Sequence, residues 1–274
     1  MTPRDDQQVR GAGPAWRADG WDVRVRLGVL VPHGDVGPES ELRAMAPADV
    51  GLHTARVPFG AMRRGGAMDP TIPLAPVRAF AEPTYVDDAA GALADAPVAA
   101  IAYAFTSSAY VIGARGEAEM IARLSARAHG TPVVATCAAT VDALRAVGAA
   151  TLCLIDPPWF DAALNDLGRA YYEAAGFGVP YSAPCALPSG QALIRPDHLY
   201  EWVAGHVPDA AEAVVIGGNG LRAVGMVDAL EAALGRPVLT ANQVLLWSAL
   251  HAAAAPAAAC GITGYGRLFA LPAP

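Results

Sequence analysis

Lysine is absent, and all 19 basic residues are arginine. That excludes a lysine Schiff base and, with it, the usual covalent attachment of pyridoxal phosphate. Cysteine is sparse: Cys137, Cys153, Cys185 and Cys260 form neither a CxxC pair nor a dense framework, so the expected compartment is reducing and cytoplasmic. The six histidines show no HxxxH or Cys/His spacing that sets ligands on one face, and no metal is expected. Basic runs interleaved with aromatics are missing and the net charge is -7, which argues against nucleic acid as a partner. A long uninterrupted apolar run is missing too. The most apolar window, "VLLWSALHAAAAPAAACGI", is broken by Ser248, His251 and Pro256 and leans on alanine, so no membrane span is expected. The N-terminal stretch has acids and no apolar h-region, and reads as a leader over residues 1–22 rather than a signal peptide.

What is present is an alternation. Short apolar runs, "VRVRLGVLVP", "VGLHTARVP", "VAAIAYAF", "TPVVAT", "ATLCLID", "AVVIGG" and "RPVLTAN", are separated by segments of helical spacing at 87–95, 117–128, 138–147, 161–175 and 222–234. Strands that are apolar throughout and separated by helices predict parallel sheets covered on both faces, an α/β protein. Two units share a pattern: "GTPVVATCAATVDALRAVG" and "GRPVLTANQVLLWSALHAAA" each open Gly-x-Pro-Val, end a strand at Thr and enter an apolar helix. This weak internal symmetry predicts two similar halves, the first domain over 23–145 plus 241–274 and the second over 146–240. The Pro-, Gly- and Met-rich segment 58–84 is expected to be a loop or lid.

In parallel α/β sheets ligands bind beyond the carboxyl ends of strands, which makes those ends the place to look for chemistry. At "FTSS", Thr106 and Ser107 offer hydroxyls and amides at a helix start, where anions are favoured; simple helix capping is the rival reading. At "GGNGLRA", Gly218, Gly220 and Ala223 satisfy a dinucleotide pattern. The next strand, however, ends at Thr240-Ala241-Asn242 without the acid that a ribose requires, so what survives is a tight turn close to a ligand. His33 and Asp35 in "VPHGD" read either as an acid/base pair or as a solvated turn. His53 and Arg56 read as carboxylate ligands or surface partners. Cys137 reads as a small buried residue or a working thiol.

With these strand ends in order, the chain resembles the aspartate/glutamate racemase superfamily, in the branch of maleate cis-trans isomerase and arylmalonate decarboxylase. The resemblance rests on "GVLVPHGDVGPESEL", "LHTARVP", "AYAFTSSAYVIG", "TPVVATCAATVDALRAVG", "GGNGLR", "LEAALGRPVLTANQVLLW" and "GYGRLF", and covers residues 27–269. It implies two pseudo-symmetric domains, each a roughly four-stranded parallel sheet, with the site in the cleft between them. It also implies cofactor-independent lyase or isomerase chemistry on a small carboxylate; a homo-oligomer stays open.

Those enzymes use one or two cysteines, yet here the first falls on Phe105 and the second on Gly218. Asp35 replaces an expected asparagine and Trp159 an expected tyrosine. Thr106 and Ser107 match the decarboxylase anion cradle, Pro32 matches the family loop, and Asn219 follows the second lost cysteine. Two-base racemisation is therefore not expected. Decarboxylation-type chemistry is favoured, with His33, Asp35, His53 or Cys137 as the proton source. The alternatives are a non-catalytic carboxylate-binding protein, and a hydratase or eliminase working through Asp35 and His33.

Overall fold

The computed structural model describes residues 19–272. Most of the leader expected over 1–22 lies outside them. Strands β1 (Val25–Pro32), β2 (Val50–Val57), β3 (Ala100–Tyr103) and β4 (Val133–Ala135) form one sheet in the order β2-β1-β3-β4. Strands β5 (Thr151–Asp156), β6 (Gly178–Pro184), β7 (Ala213–Ile216) and β8 (Val238–Thr240) form a second in the order β6-β5-β7-β8. Every pair is parallel, and the two orders are the same once the second is renumbered. The repeated Gly-x-Pro-Val units are β4 and β8, the equivalent edge strands of the two sheets.

Helices α1 (Gly37–Met45), α2 (Leu74–Ala81), α3 (Tyr85–Ala94), α4 (Thr106–Arg127) and α5 (Thr136–Ala146) precede the second sheet. Helices α6 (Ala162–Ala174), α7 (Pro196–His206), α8 (Val227–Leu234), α9 (Ala241–Ala252) and α10 (Pro256–Cys260) complete the chain. β3 and β7 are buried at every position, as central strands covered on both faces must be. Helix α9 leaves β8 but packs against β3 and β4 of the first sheet and against α5, which couples the halves through an apolar contact. None of the described helices is long and apolar enough to cross a membrane.

Three expectations need correction. β6 is not among the seven apolar runs, because it is an edge strand carrying Pro180 and Pro184, and proline is tolerated only where a ladder hydrogen bond is dispensable. The segment 58–84 is not wholly loop, since α2 buries Val77, Phe80 and Ala81. Helix α4 begins at Thr106, eleven residues before the first periodic position seen in the sequence, and Gly113 (φ 71°, ψ 171°) interrupts it. That break masks the helical period upstream.

Candidate active site

Three elements of the first sheet and one turn of the second converge. β1 delivers the loop 32–37; β3 and β4 run directly into α4 at Thr106 and into α5 at Thr136; and β7 delivers the turn 217–220. Asn219 joins them. Its Oδ1 accepts from the Thr106 backbone N–H (2.9 Å), the Thr106 hydroxyl (2.8 Å) and the Thr136 hydroxyl (3.1 Å), while the Gly218 N–H donates to Thr106 Oγ1 (3.2 Å). Asn219 Nδ2 donates to Asn242 Oδ1 (2.9 Å), and Asn242 Nδ2 donates to Glu41 Oε2 (2.8 Å). Glu41 Oε1 then accepts from the N–H groups of Ala223 and Val224 (2.6 and 3.0 Å). Burial pushes the Glu41 carboxyl up, against the lowering effect of these donors. The chain of bonds crosses repeatedly between the first half and the 217–224 segment of the second, and it fixes their approach.

This network changes the reading of Thr106. An anion cradle needs a free donor, and the Thr106 O–H already donates to Asn219. Ser107, the other residue expected in the cradle, stands in the same first turn of α4 and lines the same small chamber. The chamber has room for about 30 Å³ and is walled by Phe59, Met62, Met68, Ile72, Phe105, Trp159 and Phe160, with Pro32 and Gly218 also in its lining. Phe105 packs against Phe59 (ring centroids 4.9 Å, interplanar angle 68°) and Phe80 (4.2 Å), so the residue at which the resemblance puts the first family cysteine is part of an aromatic wall. Segments from both halves close over it: the Ile72 N–H donates to the Trp159 carbonyl (3.0 Å) and the Ser189 hydroxyl to the Pro70 carbonyl (2.7 Å).

Asp35 is the one carboxyl lining this chamber. Its Oδ1 accepts from the Gly37 N–H (2.8 Å), and its residue is only 4% exposed. Burial pushes its pKa up to about 6, opposed by the Gly37 amide, the Gln191 side chain and the Arg56 charge. A methyl group on Gly220 would stand 2.1 Å from Gln191 Nε2 and 3.0 Å from Asp35 Oδ2. Only glycine lets the acid and the amide close on that turn.

Beyond Gln191 and Gly220, which line both spaces, lies an outer cleft of about 930 Å³. His33 and Arg56 belong to this cleft and not to the chamber. His33 Nδ1 accepts from the Phe59 N–H (3.1 Å), which puts the neutral ring's proton on Nε2. Arg56 donates to the carbonyls of His33 (3.2 Å) and Asp35 (3.0 Å) and pairs with Glu39, so it braces the 33–35 loop.

Two further candidates are displaced. His53 lies four residues before the end of β2, is exposed, and lines neither space, because the strand runs on to Val57. Cys137 is fully buried under the Thr106 carbonyl, to which its thiol donates at 3.5 Å, and burial and the nearby Glu117 push its pKa well up. Its burial favours the reading as a small buried residue over that of a working thiol. Of the four cysteines only Cys260 is exposed. In the folded protein one thiol per chain is therefore expected to react promptly with Ellman's reagent, and all four after denaturation. Prompt reaction of a second thiol would contradict the placement of Cys137.

Gln191, Glu41 and Asn242 belong to the candidate site and are not singled out by the sequence. Asn242 stood in the strand end "TANQ", but Glu41 and Gln191 carried no local signal. Among the described residues no group of three or more His, Cys, Asp or Glu is placed to hold a metal ion.

The fold has counterparts among solved structures. A maleate isomerase from Pseudomonas putida S16, in a cysteine-to-alanine variant with maleate, matches with a TM-score of 0.78 and 22% identity over 89% of this chain and 97% of that one. A Nocardia farcinica maleate cis-trans isomerase, a cysteine-to-serine variant with a covalently bound succinylcysteine intermediate, matches with a TM-score of 0.75 and 22% identity over 89% and 98%. A liganded double mutant of arylmalonate decarboxylase matches with a TM-score of 0.73 and 20% identity over 89% and 98%. No curated protein matches. The family model described as arylmalonate decarboxylase matches residues 82–269, well over half of the sequence, and the chain belongs to that family.

Proposed function

We propose that the protein is a cofactor-independent lyase that decarboxylates a small activated dicarboxylate and returns the proton from Asp35. The observation that carries this reading is the position of Asp35: a buried acid with a pKa of about 6, at the rim of an apolar chamber. The chamber has space for one or two water-sized groups. That suits a single carboxylate. Held against Phe105, Trp159 and Phe59, a carboxylate loses its hydration, and desolvation favours its departure as neutral CO2.

The reaction balances without an external redox partner. The C–C bond to the buried carboxylate breaks, CO2 leaves, and its electron pair stays on the α-carbon, delocalised into the second carboxyl as an enediolate. Ser107 and the free N–H groups in the first turn of α4 are the donors for that charge, and a preorganised donor of this kind contributes about 3 kcal/mol. The α-carbon then takes the Asp35 proton, and water reprotonates Asp35. His33 is tied by its Nδ1 and faces the outer cleft, so Asp35 works alone at the reacting carbon.

The test is a pH profile on aryl- and alkylmalonates, run with product analysis in D2O. Asp35 must be protonated to deliver its proton. Turnover is therefore expected to be highest on the acid side and to fall as pH rises through about 6, with one deuterium at the product α-carbon. If the rate instead rises through about 6, Asp35 acts as a base and the reaction is an elimination or isomerisation. Loss of no CO2 from any malonate ends the decarboxylase reading.

A further inference from the structure

The chamber is too small for a whole dicarboxylate, whereas the outer cleft beside it is some thirty times larger. A volume of about 930 Å³ lies at the upper end of the range for sites that hold drug-sized ligands. Gln191 and Gly220 belong to both spaces, so a molecule with one carboxylate in the chamber passes Asp35 and continues into the cleft.

The cleft wall is mixed. Val36, Ile194 and Val224 give it apolar surface, and Val36 is 61% exposed. Its charges are unequal in what they offer. Arg56 is neutralised by Glu39, and the Glu41 carboxyl is saturated by three donors and buried. Arg222 also lines the cleft, is exposed, and has no carboxylate within ion-pair distance among the described residues. It is carried on the same 217–224 segment that supplies Gly218 and Asn219 to the chamber. In a chain of net charge -7, an uncommitted guanidinium in a cleft next to a reacting centre marks where a ligand's negative charge goes.

From this we infer that the substrate is not compact. It carries a non-reacting arm, apolar along its length and ending in an anion, that occupies the outer cleft and pairs with Arg222. The inference rests on the reading that places the reacting carboxylate beside Asp35, and it names the substrate class for that site: a malonate-type acid with an extended, anion-terminated substituent.

The probes are 2-alkylmalonates of graded arm length ending in carboxylate, each compared with its neutral carboxamide. Their affinities are measured calorimetrically on the Asp35→Asn protein, so that binding is read without turnover. At the best length the carboxylate is expected to bind on the order of tenfold tighter than the amide, the effect of one charge-assisted pair. In the Asp35→Asn, Arg222→Ala double variant that ratio is expected to fall to about one. A ratio near one at every length, or a ratio that survives the loss of Arg222, overturns the inference. The two readings fail separately. Decarboxylation of short malonates with no preference for the anionic arm sinks only this one, and an Arg222-dependent preference without any CO2 release sinks only the decarboxylase.

Discussion

Asp35→Asn is expected to lower turnover by about 10²- to 10⁴-fold, the loss that follows removal of a positioned general acid, while making the protein more stable at pH 8. The two effects have one cause. An aspartate ordinarily titrates near pH 4, and burial in the folded protein moves Asp35 up to about 6. The folded state therefore holds this proton more tightly than the unfolded chain does. Its contribution to stability is complete below pH 4, declines as pH rises towards 6, and above that leaves an ionised carboxylate buried at a cost of about 2–3 kcal/mol. Asparagine keeps an oxygen for the Gly37 N–H and removes the charge. The stability gain of the variant should thus be small at pH 4 and close to its full value at pH 8, measured by urea unfolding at both. Activity retained within a factor of a few would remove Asp35 from the mechanism. A variant less stable than the parent at pH 8 would mean that the carboxylate is better paired than its surroundings indicate. The combination of higher stability and lost turnover is what separates a proton carrier from a structural acid.

Much of this architecture is legible in the sequence because it is written in local patterns. The apolar runs ended by Thr136 and Thr240 became β4 and β8, and the Gly-x-Pro-Val symmetry became two sheets of the same strand order. β6 escaped because an edge strand with two prolines has the composition of a loop. The chamber was half legible. Phe105, Thr106, Ser107 and Gly218 follow strand ends and line it together, since a parallel sheet brings such ends to one edge. What each hydroxyl does there was not legible. The Thr106 donor is taken by Asn219, 113 residues away, and Glu41 reaches Ala223 across 182 residues, distances at which no sequence spacing carries information. His53 was misplaced by the length of β2, a matter of where a strand stops. Cys137 follows a strand end as a catalytic thiol would, but it points under the Thr106 carbonyl.

Gly218→Cys, which puts a thiol where the resemblance expects the second family cysteine, is expected to lower stability by about 3 kcal/mol and to produce no thiol-dependent activity. Gly218 has φ +82°, where a non-glycine residue costs roughly 1–2 kcal/mol. Its Cβ would lie 2.1 Å from Pro157 Cγ and 2.9 Å from Pro157 Cδ, and overpacking of that kind adds about 1–3 kcal/mol. Relief by rotation is blocked, because the Gly218 N–H is bonded to Thr106 Oγ1 and the next residue anchors the whole network through its amide. Pro157→Ala removes the ring that the new side chain would strike. In a double-mutant cycle by urea denaturation it should recover roughly half of the loss, leaving the part that belongs to the backbone. A Gly218→Cys protein as stable as its parent would show that the turn relaxes freely. If the loss appears as expected, Pro157 and the backbone at 218 exclude a thiol at that position of this chain. That outcome fits the proposal that the proton comes from Asp35, the buried carboxyl on the loop after β1.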